Sequence, residues 1–459
     1  MEKDKIEKLV EKQFNFFNSQ QTKSIAFRKD ALKKLKQGLI AHESDLMKAL
    51  WADLHKSPFE VYAHEMGQVI KEIDVHLRNL SKWSGPKRKK SPLAIFPSRS
   101  MVFNEPYGNV LIMSPWNYPL LLLIDPLIGA ISAGNTVVLK PSPYLKEFSN
   151  FIDSLISEIF PKKYITVIHG GREINQILLA QKWDYIFFTG SPSLGKLVMK
   201  AAAENLTPVT LELGGKSPCI VDEDANLKLA ARRIVWGKFI NAGQTCIAPD
   251  YLLVHEKVKD QLLTLLKLEI KKFYGENPAE STDLCRIVNQ TAFERLTGLL
   301  NEGKIVEGGI VNSTERYIAP TIIDEVDPDF LIMQDEIFGP ILPVMTFGKL
   351  GKAIDYVNSC DKPLAFYYFS NDLKKARRVI TQTTSGGGCI NDTIIHIANS
   401  QLPFGGVGKS GMGKYHGKFS FDTFSNQRSM VFSSRWMDIP IKYPPYGNKL
   451  KWVRGLLKL

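Results

Sequence analysis

Cys246 closes the run Asn241-Ala242-Gly243-Gln244-Thr245-Cys246, thirty-four residues after Glu212 in the run Leu211-Glu212-Leu213-Gly214-Gly215-Lys216. The pair offers a thiol nucleophile and a carboxylate base. Each lies in a glycine-containing segment whose backbone can approach a ligand closely. A cysteine can attack a carbonyl carbon and form a covalent adduct. A glutamate can then activate the water that breaks that adduct. The other four cysteines, Cys219, Cys285, Cys360 and Cys389, have no comparable neighbours and read as passive core or surface thiols.

Three glycine motifs bear on a nucleotide. Phe188-Thr189-Gly190-Ser191-Pro192-Ser193-Leu194-Gly195-Lys196 follows an apolar strand-like run and opens a helix-length segment. There the backbone N–H groups and the helix dipole face an anion, and Ser191 adds a hydroxyl donor, so a pyrophosphate site fits as well as an ordinary turn does. The same segment falls short of a P-loop, because Leu197 stands where a hydroxyl must hold magnesium. Gly406-Val407-Gly408-Lys409-Ser410-Gly411 matches G-x-G-x-x-G letter for letter, but no strand–helix–strand unit begins there, so it reads as a tight structural loop. A dinucleotide site near Gly190 beside Cys246 and Glu212 is the equipment for oxidising an aldehyde to an acid.

These residues need a scaffold. The first 80 residues carry apolar side chains at three- and four-residue intervals (Ile6, Leu9, Val10, Phe14, Phe17) and predict helices. Ser84 to Ser100 breaks the pattern with three prolines and a basic cluster, and reads as a connector or edge ribbon. Short apolar runs then alternate with helix-length segments: Val110–Met113, Thr136–Leu139, Ile165–Ile168, Tyr185–Phe188 and Val209–Leu211. A second alternation covers about 214 to 410, with strands near Cys219–Val221 and Tyr251–Val254. Alternating strands and helices predict parallel sheets covered on both faces. The expected fold is α/β, two lobes with a cleft between them.

The bulk properties narrow the class. A chain of 459 residues exceeds one core and predicts two or three domains. Five cysteines without a close pair argue against disulfides and structural zinc, and no metal ligand set is expected. No run of about 18 uncharged apolar residues occurs, and the N-terminus lacks the layout of a signal peptide. The expectation is a soluble, cytoplasmic protein. The net charge of +12 suits an enzyme that collects anionic cofactors, and no basic stripe interleaved with aromatics suggests nucleic acid.

Seven segments, in order, resemble the aldehyde dehydrogenase superfamily: Pro115-Trp116-Asn117, Leu139-Lys140-Pro141-Ser142, Phe188-Thr189-Gly190-Ser191, the two runs holding Glu212 and Cys246, Glu336-Ile337-Phe338-Gly339-Pro340 and Pro403-Phe404-Gly405-Gly406. The ending Lys414 to Ser425 resembles the class 3 branch, which handles fatty and aromatic aldehydes. The resemblance implies a non-standard Rossmann cofactor domain (1–82 and 103–212), an α/β catalytic domain (213–417) and a β-ribbon for oligomerisation (83–102 and 418–432), followed by a basic amphipathic tail (433–459). It implies Cys246 as nucleophile, Glu212 as base for the hydrolytic water and Asn117 as donor to the oxyanion. It implies cofactor contacts from Lys140, Gly190, Ser191, Gly195, Trp116, Glu336 and Phe338, and a homodimer as the default.

One departure affects the cofactor. The family often carries an acid three residues after the lysine of Lys-Pro-Ser, where it grips the adenosine ribose. Pro143 stands there instead, which eases a 2′-phosphate that Lys140 could pair with. NAD or NADP, with dual use, is the expectation. Rival functions are an acylating relative that passes the thioester to coenzyme A, a semialdehyde dehydrogenase, and a silent binding protein on the same fold. Glu212 argues against the first and the intact set Cys246, Glu212 and Asn117 against the last. The tail could lie on an anionic membrane surface, but packing on a partner subunit or fraying is the favoured reading. His416 is a weaker candidate for a place near the site.

Overall fold

The computed structural model of the chain describes residues 2–457. Helices fill the start: Lys3–Asn18, Ile25–Ala41, Glu43–Leu54 and Gly67–Ser84, with a π-helical turn at Tyr62–Met66 before the last. The first helix corrects the expected stripe. Ile6, Gln13 and Phe16 are its buried residues, whereas Phe14 is exposed. A period of 3.6 residues carries the inward face from 6 to 13 and not to 14. Gln13 is tolerated inside because its Nε2 donates to the Val137 carbonyl at 3.0 Å.

Two strands follow, β1 (Lys87–Lys89) and β2 (Ser98–Pro106). The first α/β sheet then begins with β3 (Asn109–Met113), β4 (Thr136–Lys140), β5 (Ile165–Val167), β6 (Tyr185–Gly190) and β7 (Val209–Leu213). Helices Pro119–Ala133, Lys146–Ile159, Arg172–Leu179 and Pro192–Ala203 connect them. The spatial order β7-β6-β3-β4-β5 is parallel throughout. These strands are buried on both faces, which is why they read as continuous apolar runs. The chain leaves β3 toward β4 and returns at β6 on its other side, so the sheet has a switch point between β3 and β6.

The second sheet is built from β8 (Pro218–Val221), β9 (Tyr251–His255) and β10 (Lys304–Glu307), then, after a hairpin of β11 (Val311–Asn312) and β12 (Tyr317–Ile318), from β13 (Thr321–Asp324), β14 (Ile341–Phe347), β15 (Ala365–Phe369) and β16 (Gly387–Ile390). Its order is β10-β13-β14-β9-β8-β15-β16, with only the edge strand β10 antiparallel. The short β17 (Gly411–Met412) returns to the first sheet and pairs antiparallel with β7.

The last strand, β18 (Ser425–Ser433), lies antiparallel along β2 over nine residue pairs, making a three-stranded ribbon β1-β2-β18. The family resemblance implies a ribbon segment from about 418. Residues Lys418–Thr423 are instead helical and pack on Pro119–Ala133. Ser420 and Phe421 turn inward there, and Gly129 admits them, since a Cβ on it would sit 2.9 Å from both Ser420 and Phe424 side-chain atoms. Beyond the ribbon, a helix Leu450–Leu457 lies near Leu93–Ile95. Among the described residues no helix is long and apolar enough to cross a membrane.

Candidate active site

The carboxyl ends of β3, β4, β6 and β7 deliver Trp116 and Asn117, Lys140, Gly190 and Ser191, and Glu212 to one edge of the first sheet. In the second sheet, β8 feeds helix Leu227–Phe239, and Cys246 lies in the loop that follows, just before β9. Glu336 and Phe338 likewise precede β14. The amino edge of the second sheet therefore meets the carboxyl edge of the first, and the segment Gly214–Ser217 joins them. Open α/β sheets place ligands at such a carboxyl edge.

Cys246 is half-buried and lines a cleft of about 1070 Å³, mouth included. Its loop carries two residues in the left-handed region, Asn241 (φ 51°) and Ala242 (φ 52°). Such strain persists where surrounding contacts over-determine it. Burial pushes the thiol well above its ordinary pKa, and the Glu336 and Glu212 carboxylates push it further. The backbone N–H groups of Cys246 and Ile247 work in the opposite direction. Those N–H groups point at the sulfur and are oriented to serve an anion formed there.

Glu212 is 3% exposed, and neither carboxylate oxygen has a hydrogen-bond partner among the described residues. Burial therefore raises its pKa well above the usual range, with Lys414 pulling the other way. A glutamic acid so placed holds its proton easily and, once ionised, is a strong base. Gly405 (φ 151°) makes room for it, since a Cβ there would stand 2.7 Å from Glu212 Oε1.

Asn117 is buried and its Nδ2 donates to the Gln244 carbonyl at 3.0 Å, two residues before Cys246. That bond uses one of two amide protons and leaves the second free. Trp116 is half-buried, and its ring meets Phe338 edge-on with centroids 5.4 Å apart. Phe338 takes a left-handed φ of 51°, another strained residue at the cleft.

The cofactor side has the features a dinucleotide needs. Ser191 caps the helix Pro192–Ala203, whose first turn holds no acid to repel phosphate. Thr189 Oγ1 is buried without a partner among the described residues. Lys140 is 2% exposed, and its Nζ bonds only the Pro141 carbonyl, at 2.8 Å. Burial lowers its pKa to about 8. Pro143 is exposed beside it. Gly195 has a different job from the one its motif suggests: its N–H is spent on the Ser191 carbonyl at 2.9 Å, and a Cβ would strike Leu213 at 2.7 Å. It lets the helix seat against β7. Glu336 reaches back over Gly214, where a Cβ would come 1.9 Å from its Oε2. Burial, then Asp250, raises Glu336 to about 8.

Several residues escaped the sequence. Lys238 is fully buried, its Nζ has no partner among the described residues, and burial lowers it to about 8. Asp250, Lys216 and Glu336 are its charged neighbours. A lone lysine in Trp236-Gly237-Lys238-Phe239-Ile240, eight residues before Cys246, was the available signal. The cleft walls are mostly apolar, with Tyr118, Leu121, Leu122, Trp236, Ile240 and Phe404, and the polar residues on them include Lys71, Glu72, Asp125 and His416. His416 Nε2 lies 3.2 Å from Asp125 Oδ2, and burial holds the imidazole down to about 4, so it is neutral.

A family model described as the aldehyde dehydrogenase family matches residues 1–430. A 4,4'-diaponeurosporen-aldehyde dehydrogenase of Staphylococcus aureus (strain NCTC 8325 / PS 47) is 51% identical over 96% of this chain and 97% of its own length. Aldehyde dehydrogenase family 3 member B3 of Mus musculus is 45% identical over 98% and 96% of the two chains. A dimeric NADP-preferring aldehyde dehydrogenase of Canis lupus familiaris is 43% identical over 97% and 99%. The solved structure of Staphylococcus aureus AldH in a substrate-bound state superposes with a TM-score of 0.97 at 50% identity, covering 98% of this chain and 99% of that one.

Proposed function

The chain belongs to the aldehyde dehydrogenase family, on its class 3-like branch, and from that premise we propose that Cys246 is its nucleophile, Glu212 its general base and Asn117 its oxyanion donor. Family membership makes it an NAD(P)-dependent enzyme that oxidises aldehydes to carboxylic acids. The observation that carries the residue roles is the bond from Asn117 Nδ2 to the Gln244 carbonyl, which ties the amide to the loop of the thiol at 3.0 Å.

The chemistry follows from the side chains. Cys246 first gives up its thiol proton to solvent; the thiolate Sγ then attacks the aldehyde carbon, and the carbonyl oxygen becomes an alkoxide. The free Asn117 N–H and the Cys246 backbone N–H hold that oxygen. An amide suits the task, since it gives a hydrogen bond without surrendering a proton. NAD(P) bound at this site would supply the acceptor for the hydride that this carbon gives up. A thioester on Cys246 remains. Glu212, in its ionised form, takes a proton from water, the hydroxide adds to the thioester carbon, and the C–S bond breaks to release the acid and the Cys246 thiolate. Gly190 and Ser191 at the helix N-terminus would hold the pyrophosphate, Lys140 the adenosine ribose, and Glu336, Phe338 and Trp116 the nicotinamide end.

The apolar walls of the cleft favour medium- to long-chain aliphatic or aromatic aldehydes. A relative named for 4,4'-diaponeurosporen-aldehyde agrees with a large apolar substrate. Lys140 and exposed Pro143 favour use of both NAD and NADP. The open edge of β18, with Val431 and Phe432 half-exposed, suits a homodimer joined through the ribbon, in keeping with the division into cofactor, catalytic and ribbon domains. Packing of the tail on the second subunit is favoured over membrane contact, and the cytoplasm is the fitting compartment for five free cysteines. Cofactor reduction measured over a panel from acetaldehyde to long-chain and aromatic aldehydes, with NAD and NADP separately, tests this reading. Turnover that favours the apolar substrates and vanishes in Cys246→Ala supports it. No turnover with either cofactor, or turnover only with coenzyme A, refutes it.

A further inference from the structure

Beneath the nucleophile loop lies a buried charged cluster that the reaction above does not use. Lys56 is fully buried, and its Nζ pairs with Glu65 Oε1 at 2.7 Å. The same ammonium donates to the main-chain carbonyl of Asn117 at 2.8 Å. Glu65 in turn accepts through Oε2 from the backbone N–H of Leu120, at 2.9 Å, and of Leu121, at 3.3 Å, in the first turn of helix Pro119–Ala133. Ion pair and helix end thus grip Asn117 from both sides.

The nucleophile loop is fastened to the same point. Asn241 Nδ2 donates to the Asn117 carbonyl at 2.8 Å and to the Gln244 carbonyl at 3.1 Å. Glu60 Oε1 accepts from the Asn241 N–H at 3.3 Å, where the backbone is left-handed. The chain between Lys56 and Glu65 is shaped for this. A π-helical turn is wider than an α-turn and is common at functional sites. Here it lets Glu60 and Glu65, five residues apart, both turn inward. Gly67 permits it, since a Cβ there would press the Tyr62 carbonyl at 2.9 Å.

We propose that Lys56, held by Glu65, is a positioning residue that fixes the oxyanion amide of Asn117 relative to Cys246. A buried ion pair is a poor stability device, because apolar side chains of similar volume fill such space at lower desolvation cost. What only an ammonium supplies is simultaneous donation to Glu65 and to the Asn117 carbonyl. The inference rests on the roles of Cys246 and Asn117 given above. Its test is therefore a double-mutant cycle that those roles do not predetermine.

Lys56→Met, Asn117→Ala and the double variant are compared by the single-turnover rate of cofactor reduction, the aldehyde KM, the cofactor Kd and the unfolding midpoint. Misplacing a catalytic group by about 1 Å costs about 100-fold, so Lys56→Met is expected to slow the first turnover by about 10- to 100-fold while cofactor Kd stays within about twofold. In the Asn117→Ala background the same change is expected to cost less than about threefold. Full additivity, an unchanged first turnover, or an equal loss of cofactor affinity overturns the proposal. Should Lys56→Met not fold, Glu65→Gln enters the same cycle with the same expectations; if neither folds, the pair is a folding element and the proposal falls. Loss of turnover in Cys246→Ala and slowing in Asn117→Ala are read separately, so failure of the cycle is distinguishable from failure of the assigned chemistry.

Discussion

Replacing Glu212 by glutamine should stabilise the fold by an amount that grows with pH. The carboxyl is buried with both oxygens unpartnered, and burial raises its pKa well above the usual range. In the unfolded chain it ionises near its ordinary value. Between those two pKa values the unfolded state is ionised while the folded state keeps its proton, so the native protein loses stability as pH rises. The slope is about 1.36 kcal/mol per pH unit for one proton. For each pH unit inside that interval wild type should lose up to about 1.36 kcal/mol that Glu212→Gln does not, because glutamine does not titrate. A chain of 459 residues unfolds with an entropy near 2.1 cal/mol/K per residue, or about 1 kcal/mol/K in all. The difference in Tm between variant and wild type should therefore widen by up to about 1.4 °C per pH unit there. Other groups titrate alike in both proteins and cancel. Thermal unfolding by circular dichroism at pH 5.5, 6.5 and 7.5, at fixed ionic strength, measures it. Parallel Tm curves would mean that Glu212 is ionised and paired in the fold, with Lys414 as the evident partner, and the argument from burial would be wrong. The same variant should lose turnover, a trade of activity for stability expected of a strained site.

Lys140, lowered to about 8 by burial, is charged below that pH and neutral above it. The NADP KM should thus rise relative to that of NAD as pH passes upward through about 8, by about tenfold if the ammonium meets the 2′-phosphate; an invariant ratio rejects the contact. Pro143→Glu should place a carboxylate three residues after Lys140 and shift use toward NAD by about tenfold, measured as the ratio of kcat/KM values. Gly406→Ala should destabilise the protein by about 2 kcal/mol or more, since its Cβ would fall 1.9 Å from the Ser410 carbonyl, while leaving cofactor Kd unchanged by fluorescence titration. A loss of cofactor affinity in the folded variant would make that loop a nucleotide site after all.

The strands of the first sheet, and β8 and β9 of the second, were legible because a parallel sheet covered by helices demands unbroken runs of apolar residues, as in Val110–Met113 and Thr136–Leu139. Cys246, Glu212 and Asn117 stood out because glycine-rich segments flank two of them and because their order matched a family. Gly195 was read through its motif, but only the structure shows its N–H bonded to Ser191 and its missing Cβ facing Leu213. Lys56, Glu60 and Glu65 were invisible, since charges spaced along a helix normally face water. The π-turn that sends Glu65 inward, and the connector and short helix that place Lys56 and Glu60 before it, leave no composition signal. Residues 418–423 were placed in the ribbon by the resemblance alone, and contact with Pro119–Ala133 decides for helix there.

The central claim is that the aldehyde carbon becomes bonded to Cys246 and is released by water that Glu212 activates. Intact-protein and peptide mass spectrometry of Glu212→Gln, quenched with acid after mixing with NAD(P) and a long-chain aldehyde, tests it directly. The account predicts a burst of about one reduced cofactor per site, and the mass of one acyl group on the peptide that carries Cys246, stable in acid and lost with hydroxylamine. A burst without an adduct, or an adduct on another cysteine such as Cys389, would contradict it.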